Sequence, residues 1–221
     1  MLKDQNVTLI MSTQQDKDME YWGVDFEEVK DAIEASGLKL ARHPFPDFDS
    51  DGLRRGLPEA AAALDRYVRR GEKVYLHCTA GMGRSPGIAI GYLYWFDAYI
   101  SAQRAGATTL DEAYEFLTKK RPCGPSKEAI RKATVDLLEA VDGTGLPVPV
   151  LSGLPDEDPA GAELSAGERD AIQARLRQHV GEKEKEGKLP AITIVLGLLA
   201  LGFAGGVVTA IVRTVLGGLA P

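Results

Sequence analysis

Apolar residues along the chain fall into short unbroken runs separated by helical stripes. Residues 7–11 (Val7-Thr8-Leu9-Ile10-Met11) form one such run and predict a buried central strand. Phe26, Val29 and Ile33 recur at helical spacing and stop at Gly37, which predicts a helix over 26–36. Residues 38–42 and 73–77 read as two further strands. Between them, 43–56 reads as a loop, and Pro58 reads as the first residue of a helix over 59–70 that Gly71 closes. A helix is expected from about residue 85 to 99. Thr109-Leu110-Asp111-Glu112 is a capping box that opens another to about 120, and Ser126 caps a last helix over 127–140. Strands alternating with helices predict an α/β layer structure whose central sheet is mostly parallel and flanked by helices.

Beyond residue 140 the pattern changes. Residues 141–164 are rich in Pro, Gly and acid without periodicity, and read as a linker. Ser165-Ala166-Gly167-Glu168 is a second capping box, opening a charged helix over 165–188. Its apolar positions Ile172, Leu176 and Val180 make a narrow stripe, so a solvated spacer helix is expected. Residues 191–212 carry no charge. At 1.5 Å per residue they would span roughly 33 Å, which matches a hydrocarbon core of about 30 Å. A transmembrane segment over 189–213 with a tail over 214–221 is the expectation, and a buried hairpin or core helix is its alternative. Lys183, Lys185 and Lys188 would keep the preceding domain on the cytosolic or equivalent reducing side.

The bulk numbers narrow the function. The chain has 221 residues and a net charge of −6, which argues against a nucleic-acid partner. Cys78 and Cys123 are too few for a disulfide framework, so a reducing compartment is the simpler setting. The first residues do not have the build of a signal peptide.

The chemistry concentrates at His77-Cys78-Thr79-Ala80-Gly81-Met82-Gly83-Arg84-Ser85, between a strand and a helix. A free thiol is mostly protonated at neutral pH and must be activated before it can attack phosphorus. In a strand-to-helix loop the backbone N–H groups converge on one concavity, and the helix dipole adds positive potential. That field favours a thiolate and binds phosphate oxygens. Cys78 is therefore the expected nucleophile and Thr79, Ala80, Gly81, Met82 and Gly83 the expected phosphate cradle, with both glycines giving the loop backbone freedom. Arg84 brings a planar fork for two phosphate oxygens, and Ser85 a hydroxyl for the sulfur as leaving group. His77 is expected either to fix the loop through a hydrogen bond or simply to pack. The leaving oxygen needs a proton, and Pro46-Asp47-Phe48-Asp49-Ser50-Asp51 is the acid-rich loop that can supply it. Asp47 is the first choice and Asp49 the second; two of the three acids are expected to cap turns. No metal and no cofactor is called for.

The nine-residue loop resembles the signature of dual-specificity phosphatases. Gln14-Gln15-Asp16-Lys17-Asp18-Met19-Glu20-Tyr21-Trp22-Gly23-Val24-Asp25, the Asp47-Phe48-Asp49 block and the helix through Ala129-Ile130-Arg131 resemble plant phosphoglucan phosphatases of the starch-excess and like-starch-excess type. The resemblance covers about residues 6–140. It implies a cysteine-phosphatase fold, removal of phosphate from starch-like glucan through a phosphocysteine, and a plastid location. It also implies that Tyr21, Trp22 and Phe48 line a glucan channel. Against that family, the domain over 1–140 is expected to lack an N-terminal strand. Gly124 stands where an aromatic is expected, no carbohydrate-binding module follows, and Ser85 replaces an alanine. The alternatives are a membrane-anchored protein phosphatase acting on a phosphoprotein, and an inactive phosphate-binding scaffold at a membrane. The intact Cys78, Arg84 and Asp47 argue against the scaffold.

Overall fold

The computed structural model describes residues 2, 5–96, 108–139, 164–179 and 195–196. The chain order is β1 (Leu9–Ser12), α1 (Asp16–Tyr21), α2 (Phe26–Ala35), β2 (Lys39–Arg42), α3 (Ser50–Arg69), β3 (Val74–His77), α4 (Arg84–Phe96), α5 (Leu110–Thr118), α6 (Lys127–Glu139), α7 (Ala166–His179) and β4 (Val195–Leu196). The strands lie in the order β2-β1-β3-β4, and every pairing is parallel. Leu9 pairs with Val74 and Ser12 with His77, so the C-terminal ends of β1 and β3 lie side by side.

Side chains of the two inner strands alternate between two cores. Leu9, Met11, Val74 and Leu76 face a large core built with α3 to α7. Ile10 and Tyr75 face a smaller cluster that Ile33 of α2 covers. Burial on both faces explains why these strands read as continuous apolar runs. α4 is buried along its whole length, between α3 and α5. Trp95 on it donates from Nε1 to Thr134 Oγ1 of α6 at 2.9 Å.

Three expectations change. α3 begins at Ser50, eight residues before Pro58, with the Asp49 carboxylate accepting from Gly52 N at 2.8 Å as its cap. A proline inside a helix costs about 3 kcal/mol. Leu53, Leu57 and Leu64 are all buried on the same helix, at about 1.5–3 kcal/mol each, so burial outweighs the proline.

α7 is docked rather than solvated. Leu164, Ile172 and Leu176 are buried in the main core, against α3, α4 and α6. Buried Arg169 donates to the carbonyls of Tyr94 and Thr108, and Gln173 donates to the carbonyl of Trp95 at 3.1 Å. Tyr94 and Trp95 lie on α4 and Thr108 just before α5, so these donors tie α7 to both helices.

The apolar stretch 189–213 enters the described residues only at Val195–Leu196, and there it is a short strand beside β3 rather than helix. The rest of that expected membrane segment, residues 180–188 of the expected charged helix with Val180, the linker and the tail lie outside the described residues, apart from Leu164 at the linker's end. Among the described residues, no helix is long and apolar enough to cross a membrane.

Candidate active site

The loop between β3 and α4 starts at the carboxyl end of the sheet, where parallel α/β folds place their sites. Cys78 is buried, and its Sγ accepts from the backbone N–H of Gly81 at 3.1 Å and from the Ser85 hydroxyl at 3.4 Å. Gly81 has φ +70°, the left-handed region that favours glycine. Gly83 does not need that region; a Cβ there would meet open space, which keeps the cavity wall low.

Two further features hold the loop. Buried Arg121 donates from Nη2 to the Gly81 carbonyl at 2.7 Å, and Gly124 N donates to the Met82 carbonyl at 3.0 Å. His77 stacks on Tyr75 with centroids 5.3 Å apart, and its Nδ1 lies 3.2 Å from the Cys78 carbonyl. Burial pushes the His77 pKa down to about 4, so the ring is neutral at pH 7 and Nδ1–H donates to that carbonyl.

Arg84 is the first residue of α4 and is 3% exposed. Its Nη2 donates to Asp47 Oδ2 and to Thr79 Oγ1, both at 3.0 Å. Its Nη1 donates to the Phe45 carbonyl at 3.1 Å and to Asp18 Oδ2. Gln14 Nε2 donates to the same Thr79 oxygen at 3.3 Å.

Phe45 is placed by α3: a Cβ at Gly56 would lie 1.8 Å from the Phe45 ring, so the close approach depends on glycine. The sequence alone does not mark Asp18, Gln14 or Arg121 as site residues. Asp18 and Gln14 lie in the Gln-Gln-Asp-Lys-Asp block, which is their one sequence signal.

A cavity of about 330 Å³ opens between this loop and the β2–α3 connection. Cys78, Ala80, Met82, Gly83 and Arg84 line one side, and Asp47, Phe48 and Asp49 another. Asp47 Oδ1 also accepts from Phe48 N at 3.2 Å. Asp49 is engaged as the cap of α3, and Asp51 lies exposed in its first turn, so of the three acids Asp47 alone contacts Arg84. Phe48 is fully exposed on the rim at φ +54°. Tyr21 and Trp22 form an exposed edge-to-face pair with centroids 5.2 Å apart, but neither lines the cavity. A slightly larger cavity, about 350 Å³, lies against Arg42, His43, Arg55 and Glu59 and holds neither the cysteine nor its loop.

The profile of the dual specificity phosphatase catalytic domain matches residues 1–132. The chain is 33% identical over 141 residues to phosphoglucan phosphatase LSF1, chloroplastic, of Arabidopsis thaliana, covering 64% of this chain and 22% of that protein. It is 34% identical over 139 residues to phosphoglucan phosphatase DSP4, amyloplastic, of Castanea sativa, covering 62% of this chain and 35% of that one. The chain thus spans about a fifth to a third of the length of these relatives. The crystal structure of Tk-PTP in the active form is similar over 61% of this chain and 80% of its own, with 24% identity and a TM-score of 0.44. With its cysteine–arginine loop and the match over residues 1–132, this chain belongs to the dual specificity phosphatase family, the cysteine-based phosphatases.

Proposed function

We propose that this domain hydrolyses phosphate monoesters carried on a glucan chain, through a phosphocysteine formed on Cys78. The observation that carries the chemistry is the shared cavity. The Cys78 sulfur, with two donors on it, and the Arg84–Asp47 pair line the same 330 Å³ space.

In the first step the Cys78 thiolate attacks phosphorus, the S–P bond forms, and the P–O bond to the sugar breaks. Asp47 gives its proton to the leaving oxygen. In the second step the Asp47 carboxylate takes a proton from water, the water oxygen attacks phosphorus, and the sulfur leaves as thiolate with the Ser85 hydroxyl on it. Arg84 and the loop amides of residues 79–83 hold the equatorial oxygens in both steps.

The glucan reading rests on two supports. The plant relatives carry phosphoglucan phosphatase in their names. Phe48 offers a bare aromatic face on the cavity rim, and such faces pack on the apolar C–H faces of sugars. Tyr21 and Trp22 stand outside the cavity as a further platform for a longer chain. The chloroplastic and amyloplastic names of those relatives support a plastid setting. The second reading, a protein phosphatase, is favoured by Gly124, which leaves its side of the cavity without a side chain.

Phosphate release from solubilised phosphoglucan, phosphopeptides and an aryl phosphate separates these readings, for the wild type and Cys78→Ser. We expect turnover of aryl phosphate and phosphoglucan, both lost in Cys78→Ser. A well-folded protein that fails on the aryl phosphate ends the catalytic reading. Turnover of peptides without turnover of glucan ends the glucan reading and leaves the chemistry.

A further inference from the structure

Arg84 divides its guanidinium into two edges. Nη1 is engaged by the Asp18 carboxylate and the Phe45 carbonyl. The other edge is formed by Nε and Nη2, which point the same way in a guanidinium. Nε is buried and has no hydrogen-bond partner, while Nη2 touches Thr79 and Asp47, the latter lining the cavity. A buried donor without a partner is costly, so an orphaned Nε marks the edge left for a ligand oxygen. A tetrahedral phosphate offers two oxygens at the spacing of that edge.

The two carboxylates on Arg84 also differ in setting. The Asp47 side chain is 36% exposed and that of Asp18 is 13% exposed. The same Asp18 oxygen that meets Arg84 accepts from Gln15 N at 2.9 Å, so the carboxylate is fixed by its own backbone. It comes from α1, in a part of the chain far from the loop, and it is the charged group on the closed edge of the arginine.

We propose that Asp18 is a positioning residue. It anchors Nη1 of Arg84 so that the Nε–Nη2 edge is presented to the phosphate of the substrate and to the transition state. This rests on the phosphomonoesterase reading above. Asp18 touches no reacting atom and acts through Arg84 alone.

The test uses the full chain and an aryl phosphate, with kcat, KM, inhibition by inorganic phosphate and melting temperature measured for each variant. Asp18→Asn keeps an acceptor for Gln15 N but removes the charge. Misplacing a clamp by an ångström costs about 10²-fold, so a kcat loss of about 10- to 100-fold is expected, with weaker phosphate inhibition. Asp18→Glu should recover part of kcat. On an Arg84→Lys background, Asp18→Asn should cost less than about threefold, because the two residues act as one unit.

Three results overturn the proposal. One is a folded Asp18→Asn with kcat within about twofold of wild type. Another is tighter phosphate inhibition at unchanged kcat, which would make Asp18 a competitor for the arginine. The third is an undiminished Asp18→Asn effect on the Arg84→Lys background. If Asp18→Asn does not fold, Asp18→Glu decides: lower kcat at a wild-type melting temperature supports the anchor, and unchanged kcat ends it. Activity surviving in Cys78→Ser would instead refute the phosphocysteine reading, whatever Asp18 does.

Discussion

The Ser85 hydroxyl stands 3.4 Å from the Cys78 sulfur, on the buried side of the phosphate loop. A hydrogen bond to a charged group contributes about 1.5–3 kcal/mol. Its loss should matter most when the sulfur leaves as a thiolate. Ser85→Ala is expected to lower kcat by about 10- to 100-fold and to show a burst of aryl alcohol followed by slow turnover. Rapid-quench kinetics with mass detection of the phosphorylated protein would check this. A slow variant without a burst would place the role of Ser85 in the first step.

His77 gives the fold a dependence on pH. Its folded pKa, about 4, is depressed below the ordinary 6.5 by burial. Between those values the unfolded chain binds the proton and the folded chain does not. The contribution is therefore complete above about pH 6.5 and lost as pH falls toward 4, up to about 3 kcal/mol in all. Burial lowers the His43 pKa as well, which acts in the same direction. Urea midpoints taken from pH 7.5 down to 4.5 should fall for the wild type and fall less for His77→Asn. Identical slopes would remove His77 from the account.

α7 should behave as part of the folded unit. Ile172 and Leu176 are both fully buried. Ile172→Ala is expected to destabilise the protein by about 2–4 kcal/mol in urea unfolding, with little change in KM for aryl phosphate. A loss under about 0.5 kcal/mol, the size typical of surface sites, would mean that the helix is not docked in solution.

Gly56 should reverse the usual sign of a helix glycine. In an exposed helix, glycine to alanine gains roughly 0.5–1 kcal/mol. Here the new methyl would strike the ring of buried Phe45, whose carbonyl accepts from Arg84. Gly56→Ala is expected to cost about 1–3 kcal/mol and to lower kcat, with partial recovery in Gly56→Ala/Phe45→Leu. Thermal melts and aryl phosphate assays on both variants test it, and a stabilised Gly56→Ala would refute the contact.

What was legible in the sequence was local. Cys78, Arg84 and Ser85 share one loop, and their spacing carries the geometry. The acidic loop is visible in the sequence, but only the fold separates its members: Asp49 caps α3 and Asp47 meets Arg84. Contacts across long separations left little trace: Asp18 meets Arg84 over 66 positions and Arg121 meets Gly81 over 40. Pro58 misled because a local rule was set against burial of a whole helix face. The stripe Ile172–Leu176 looked too narrow for a core, yet two side chains and the Arg169 contacts to the Tyr94 and Thr108 carbonyls were sufficient. Tyr21 and Trp22 came from family likeness alone, and that likeness did not bring them to the cavity.

All thirteen residues of α4 are buried, whereas Phe48, Met82, Tyr21 and Trp22 are exposed. A helix with no solvent face admits few substitutions, since each one disturbs close-packed neighbours. The mount for the phosphate chemistry is therefore evolutionarily stiff, and the surface around it is not. New substrates can be explored by replacing exposed rim side chains while the buried mount stays unchanged. A lineage of such domains would be expected to share its cysteine loop and diverge first at positions like 21, 48 and 82.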